Sequence, residues 1–334
     1  DELAVGNPWS FATDVGPVIS GTARREILAH IETARTDGRL LKQLDAPETG
    51  HFVGPAAIRV GGIEDLAEEI FGPVLHIATF RADQIDGVVD AINASGYGLT
   101  FGLHSRIDDR VEQITTRLKV GNIYINRNQI GAIVGSQPFG GEGLSGTGPK
   151  AGGPHYVPRF TKGDEPRHPV TGGDALDRDA VQAALDAAEP ARSDRLESID
   201  LPGPTGESNR FSLYPRGLIL CLGPTAKDAE QQAEIARSQG CSALAIAPGT
   251  VGDDTLSGVL DRAHLTTLRG FDGVALWSEV DDLKAARQAL AARHGPLIPL
   301  VTGMELAERC VVERHVSIDT TAAGGNASLL AANA

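Results

Sequence analysis

Aromatic residues are scarce in this chain: 4% of its 334 positions are Phe, Trp or Tyr, and it holds a single methionine. A core must therefore be built mainly from Leu, Val, Ile and Ala. With 41% hydrophobic and 22% charged residues, the balance is that of an ordinary globular protein. Cysteine is nearly absent as well. Cys221, Cys241 and Cys310 are widely separated and make no disulfide framework, so a reducing cytoplasm is the expected setting. Basic residues are outnumbered, 30 against 44 acidic, for a net charge of -14. That excludes a phosphate-backbone partner, which needs clustered Lys and Arg, and no nucleic-acid contact is expected. No apolar run approaches the ~18 residues that span a bilayer, and no basic start with an apolar stretch marks a secretory signal.

Glycine, by contrast, is abundant and concentrated. From Gln137 to Gly153, seven of 17 residues are glycine, and prolines stand at 138 and 149. Such a run cannot be a stable helix or central strand, because glycine loses the most backbone entropy and proline removes a donor. A mobile linker would lack the large side chains of Phe139, Leu144 and Lys150. The reading is an ordered loop beside a site.

The length allows about two domains. Before the loop, helical periodicity marks Gly21 to Arg35, Asp83 to Ser95 and Asp108 to Leu118. Strands are expected at Phe52-Val53, Ala57 to Val60, Val74 to Ala78, Leu99 to Ser105 and Gly121 to Asn126. Residues 161–210 are polar and punctuated by proline, with one helix near Ala180 to Ala188, and read as a connecting region. A second unit then alternates strands at Gly217 to Leu222, Ser242 to Ile246, Gly273 to Trp277 and Leu297 to Val301. Helices are expected between them at Ala226 to Gln239, near Asp254 to Ala263, and at Val280 to Arg293. The fold class is α/β, with a Rossmann-like parallel sheet in the second half.

Several motifs invite a functional reading beside a plain one. Gly141-Glu142-Gly143-Leu144-Ser145-Gly146 has the spacing of a dinucleotide fingerprint, but Pro149, Gly152 and Gly153 follow where a helix should. Glu69-Ile70-Phe71-Gly72-Pro73 sets a carboxylate and an aromatic ring before a sharp turn. They can hold ribose hydroxyls and a ring face, or be an ordinary helix-end carboxylate and core Phe, the commoner case. Cys241 can be an activated thiol or a small buried hydrophobe. Nine histidines without i, i+4 or Cys-x-x-Cys spacing make no metal site expected.

Thr13-Asp14-Val15-Gly16-Pro17, then Glu69-Ile70-Phe71-Gly72-Pro73-Val74, then Pro138-Phe139-Gly140-Gly141 with Ser145-Gly146, in this order, resemble the aldehyde dehydrogenase superfamily. The long loop Gln137 to Pro154, the approach Gly121 to Asn128, Gly203 to Glu207 and the tail Thr320 to Leu329 resemble, within it, the bifunctional proline utilization A family.

The resemblance implies an NAD-dependent L-glutamate γ-semialdehyde dehydrogenase giving L-glutamate, the second step of proline catabolism. It places Glu69 and Phe71 on the nicotinamide-ribose side of NAD. Gly131 and Ala132 would offer backbone N–H groups to the substrate carboxylate, and Phe139 would pack on its aliphatic stem. Ser136 lies in the same loop. FAD is expected only in a proline dehydrogenase part outside these residues.

By the same resemblance the chain opens in mid-pattern, downstream of the family's nucleophile and general base. It would hold no catalytic residue, and alone it would not turn over. Cys241 is then a decoy. The implied layout is residues 1–160 as the C-terminal part of a catalytic domain, 161–210 as connection, 211–315 as a Rossmann-like accessory domain, and 316–334 as a tail packing back on the catalytic region. The partners implied are a small aldehyde, the upstream part of the same enzyme and a second copy in a homodimer, with His155 to Phe160 contributing. The alternative from another class is a noncatalytic module for dimerisation and for sealing a substrate channel.

Overall fold

The structure, a computed structural model, describes residues 2–130, 132–161, 163–170 and 172–321. The chain divides between Ser95 and Gly96 into two compact units. The expected divisions at 160/161, 210/211 and 315/316 all fall inside the second.

The first unit opens on α1 (Gly21–Thr36), whose N-terminus is capped by Ser20 Oγ accepting from the Ala23 amide at 3.1 Å. Ile27, Ile31 and Ala34, at helical spacing, turn its apolar stripe inward. They pack on a three-stranded sheet of β1 (Leu40–Gln43), β2 (Ala56–Arg59) and β3 (Val74–Ile77), in that order. β1 and β2 are antiparallel, while β2 and β3 are parallel. α2 (Ile85–Ala94) closes the unit. β1 lies in a stretch that reads as polar loop, and Phe52-Val53 forms no strand. Val53 is a buried core residue without sheet pairing.

The second unit begins with β4 (Tyr97–Gly98), β5 (Thr100–Leu103), α3 (Asp108–Arg117), β6 (Asn122–Ile125) and, within the glycine-rich loop, β7 (Glu142–Gly143). No helix follows the Gly141 to Gly146 spacing. β7 instead pairs antiparallel with β4. α4 (Arg178–Ala187) precedes a hairpin of β8 (Glu197–Leu201) and β9 (Glu207–Pro215). The Rossmann-like stretch follows as β10 (Leu218–Cys221), α5 (Ala226–Ser238), β11 (Ser242–Ile246), β12 (Thr255–Leu256), β13 (Gly273–Ala275), α6 (Val280–Ala291) and β14 (Leu300–Val301). A short α7 (Leu306–Arg309) leads into β15 (Val311–Asp319).

The five strands from β10 to β14 form one parallel sheet in the order β12-β11-β10-β13-β14. This is the doubly wound order, in which the first strand sits at the centre. The expected helix near Asp254 to Ala263 is not formed. β12 occupies its start, and a 3-10 turn at Arg262–Thr266 its end. Gly258, at φ +155, lets the chain pass against Leu176, which a helix would not allow.

A second five-stranded sheet, β5-β6-β15-β9-β8, joins distant parts of the sequence. β15 runs parallel to β6 and antiparallel to β9. Residues 316–318 thereby pair with 123–125.

Candidate functional site

Strand alternation gives the second sheet two unlike faces. Ile123, Ile125, Val316 and Ile318 look towards α3, where a cleft of about 190 Å³ remains. The other face carries Asn122, Tyr124, Glu313, His315 and Ser317, all buried and almost all polar. Buried polar groups are tolerated when each finds a partner. Here many of those partners come from the glycine-rich loop.

Asn122 is the first anchor. Its Nδ2 donates to the Pro138 carbonyl at 2.8 Å, and its Oδ1 accepts from the Gly140 amide at 3.0 Å. Lys150 is the second, 1% exposed. Its Nζ donates to Asn122 Oδ1 at 3.0 Å and to the Gly140 carbonyl. Its amide donates to Glu313 Oε2 at 2.5 Å, while the other Glu313 oxygen meets His155 Nδ1 at 2.7 Å. Burial pushes the Lys150 ammonium down to about 7, with Glu313 opposing. Burial, and then the Lys150 charge, push His315 down to about 4, so it stays neutral in its dry setting.

A second cluster holds the loop's start. Glu207 accepts from Gln137 Nε2 at 2.7 Å and from Arg127 Nη1 at 2.5 Å, and Arg127 also reaches Ser317 Oγ at 2.9 Å. Farther along, Arg314 binds Glu142 with contacts of 2.8 and 3.2 Å and lies over the Tyr214 ring at 4.4 Å. Arg216 donates to the carbonyls of Thr147 at 3.1 Å, Arg309 at 2.7 Å and Val311 at 3.0 Å. The loop is thus fixed from one end to the other by charge-assisted hydrogen bonds, the stronger kind. Its glycines serve close packing: a Cβ on Gly121 would run into the Gly140 carbonyl oxygen and lie 2.8 Å from Lys150 Nζ.

The residues singled out from sequence fall as follows. Phe139 is half-buried, its backbone bridged to Ala151 by bonds of 3.0 and 2.8 Å. Ala132 is exposed, in a segment where Ile130, Ile133 and Val134 are exposed too. Gly131 lies outside the described residues. In the first unit, Glu69 is exposed and Phe71 is 82% exposed. The plain reading of Phe71 as a core residue is therefore wrong: Ile70 between them turns to the core instead. The stretch is an irregular loop after a 3-10 turn at Ile63–Asp65, not a helix end.

Cys241 is buried, and its Sγ donates to the Cys310 carbonyl at 3.1 Å. Cys221 and Cys310 are buried in the same apolar cluster. Lys150 stands out in the sequence only as a side chain foreign to a linker, and nothing there assigns Asn122, Glu313 or Glu207 to ordering the loop. Only the strand alternation of β15, with polar residues on its inward side, could have pointed to them.

Residues 1–164 match the model of the aldehyde dehydrogenase family. Over nearly its whole length the chain is similar to bifunctional PutA proteins. It is 38% identical to bifunctional protein PutA of Escherichia coli (strain K12), over 98% of this chain and 28% of that protein. It is 40% identical to 1-pyrroline-5-carboxylate dehydrogenase 1 of Halalkalibacterium halodurans, over 46% of this chain and 30% of the relative. Among solved structures, proline utilization A from Corynebacterium freiburgense superposes with a TM-score of 0.63 at 24% identity. That match covers 95% of this chain and 33% of the other, and it shows a shared fold. The chain spans under a third of the length of these relatives. The α/β class read from the sequence agrees with the fold.

Proposed function

We propose that these residues are part of an NAD-dependent L-glutamate γ-semialdehyde (1-pyrroline-5-carboxylate) dehydrogenase that forms L-glutamate within a bifunctional proline-catabolic enzyme. The observation that carries the reading is the loop 137–153, held rigid by Asn122, Lys150 and Glu207, within a chain whose relatives include a 1-pyrroline-5-carboxylate dehydrogenase. A rigid loop offers backbone donors and an aromatic wall without paying to order them on binding.

In this reading Gly131 and Ala132 present N–H groups to the substrate carboxylate, and Phe139 packs on the carbon chain. Glu69 and Phe71 suit a nicotinamide ribose, because the core uses neither: a carboxylate accepts from hydroxyls, and an exposed ring covers a flat face. NAD held there would supply the hydride acceptor for the oxidation. None of the chain's cysteines is the nucleophile, since all three are buried in the core of the Rossmann-like sheet. The thiol must come from elsewhere in the enzyme.

The alternative, a structural module, draws on β15, β9 and β8, which extend the β5-β6 sheet and clamp the loop without contributing a reactive group. The tail assigned to channel sealing lies, past Thr321, outside the described residues.

A chimera tests the proposal. These 334 residues replace the matching part of E. coli PutA, and semialdehyde-dependent NAD reduction is measured beside proline oxidation. Both activities are expected, with none from the 334-residue chain alone. A chimera that oxidises proline but not the semialdehyde sinks the reading, and so does turnover by the isolated chain that Cys241→Ala abolishes.

A further inference from the structure

Where the glycine-rich loop ends, three arginines line one small cavity of about 20 Å³. Arg159 comes from a 3-10 turn at Val157–Phe160, Arg216 from the turn between β9 and β10, and Arg309 from the end of α7. Among the described residues none of the three guanidiniums forms an ion pair. Arg216 spends Nε and Nη2 on the carbonyls of Arg309, Thr147 and Val311, and its Nη1 bonds nothing among the described residues. Arg309 Nε is buried without a hydrogen-bond partner. Arg159 feels Glu305, Glu308 and Glu313 only through space. Burial pushes Arg159 and Arg216 below the usual guanidinium range, yet both stay charged, since a guanidinium keeps its proton in a protein.

Two carboxylates line the same cavity, Glu308 and Glu313. Glu313 is already engaged by the Lys150 amide and by His155, and Glu308 is exposed. Three guanidiniums against two carboxylates leave one positive charge in excess. Half-buried like charges around one space repel, and buried N–H donors without acceptors add to that cost. A cavity of this volume holds one body about the size of a water molecule, which shuts out phosphate, sulfate and larger carboxylates. One excess charge and room for one small body together define a monatomic, monovalent anion.

We propose that Arg159, Arg216 and Arg309 form a binding site for one chloride ion at the junction of the glycine-rich loop with β15. The ion accepts from the guanidinium donors that the protein leaves unused, and a guanidinium, being weakly hydrated, exchanges its water for a halide readily. Glu308 and Glu313 oppose it, so binding is reversible rather than tight. The ion ties together three segments that are far apart in sequence. Because Arg216 also holds the Thr147 carbonyl, chloride fixes the end of the loop as well as the corner from α7 into β15. Chloride is thereby a structural ligand of the second unit, independent of any dehydrogenase chemistry.

The test uses the 334-residue chain and needs no enzymatic activity. Urea unfolding is followed by tryptophan fluorescence at constant ionic strength while sodium chloride replaces sodium gluconate. Stability is expected to rise with chloride and to level off, as binding at one site of the folded chain requires. Arg309→Gln should weaken chloride binding about tenfold, because it removes one of the adjacent charges. Glu308→Gln, at an exposed position, removes an opposing charge and should tighten binding several-fold. Arg287→Gln, exposed on α6, should leave it unchanged. Crystals grown in sodium bromide should show an anomalous peak among the three guanidiniums. A response that never saturates, one equal in the Arg309→Gln chain, weaker binding in Glu308→Gln, or no bromide in this cavity would each overturn the proposal. Should Arg309→Gln fail to fold, Glu308→Gln and the bromide peak decide it.

Discussion

Replacing Lys150 by Met keeps the stem and removes the charged head that joins the glycine-rich loop to the sheet. Asn122 Oδ1 would keep its bond from the Gly140 amide, but the Gly140 carbonyl would lose its Nζ donor in a dry site. One orphaned buried acceptor costs about 1–3 kcal/mol. The pH dependence is more telling than this cost. Folded Lys150 titrates near 7, against 10.5 when unperturbed. Between those values the unfolded chain binds more protons, so stability rises with pH by up to ~1.4 kcal/mol per unit from this group. That contribution is present in full above the unfolded value and is lost as pH falls towards the folded one. Wild type minus Lys150→Met should therefore widen as pH is raised from 7 towards 10. Urea unfolding followed by tryptophan fluorescence reads it, because Trp277 is 1% exposed in the second unit and Trp9 is 92% exposed in the first. A difference that stays flat or shrinks over this range would refute a buried, charge-penalised lysine.

Gly121→Ala is expected to destabilise the second unit by about 1–3 kcal/mol, since its Cβ meets the Gly140 carbonyl oxygen. A neutral result by the same urea assay would show that the loop backbone yields. In the first unit, His30 and His76 meet Nε2 to Nε2 at 2.9 Å, which needs at least one neutral ring. Burial, then the charges of His30 and Arg39, lower His76 below 6.5, so the folded unit resists protonation. The stability from this pair is present above 6.5 and is lost as pH falls below it. His76→Gln should remove that acid sensitivity in limited proteolysis, and a His76 NMR titration at or above 6.5 would contradict it. In the PutA chimera, Phe139→Ala should raise KM for the semialdehyde several-fold with proline oxidation unchanged; an unchanged KM removes Phe139 from the substrate wall.

Much of the architecture was legible because local periodicity and burial agree. α1 shows Ile27, Ile31 and Ala34 on one stripe, and the strands Leu218–Cys221 and Ser242–Ile246 are continuous apolar runs, as a sheet covered on both faces requires. The glycine-rich loop could also be read as ordered, since Phe139 and Lys150 do not belong in a linker. β8, β9 and β15 were not legible. In β15 the inward positions are Glu313, His315 and Ser317, so the usual apolar-in pattern is partly inverted. Glu197 and Asp200 make β8 look like a polar connection, which the edge of a sheet permits.

The sequence by itself determined the α/β class, most of the helices, the parallel sheet and the place of the loop, because each depends on neighbours in the chain. The tertiary structure alone decided that β15 lies beside β6 and that Lys150 is buried between Asn122 and Glu313. It also decided that Cys241 meets Cys310. A polar side chain is affordable inside only with its partner in place, and those partners are 28, 163 and 69 positions away.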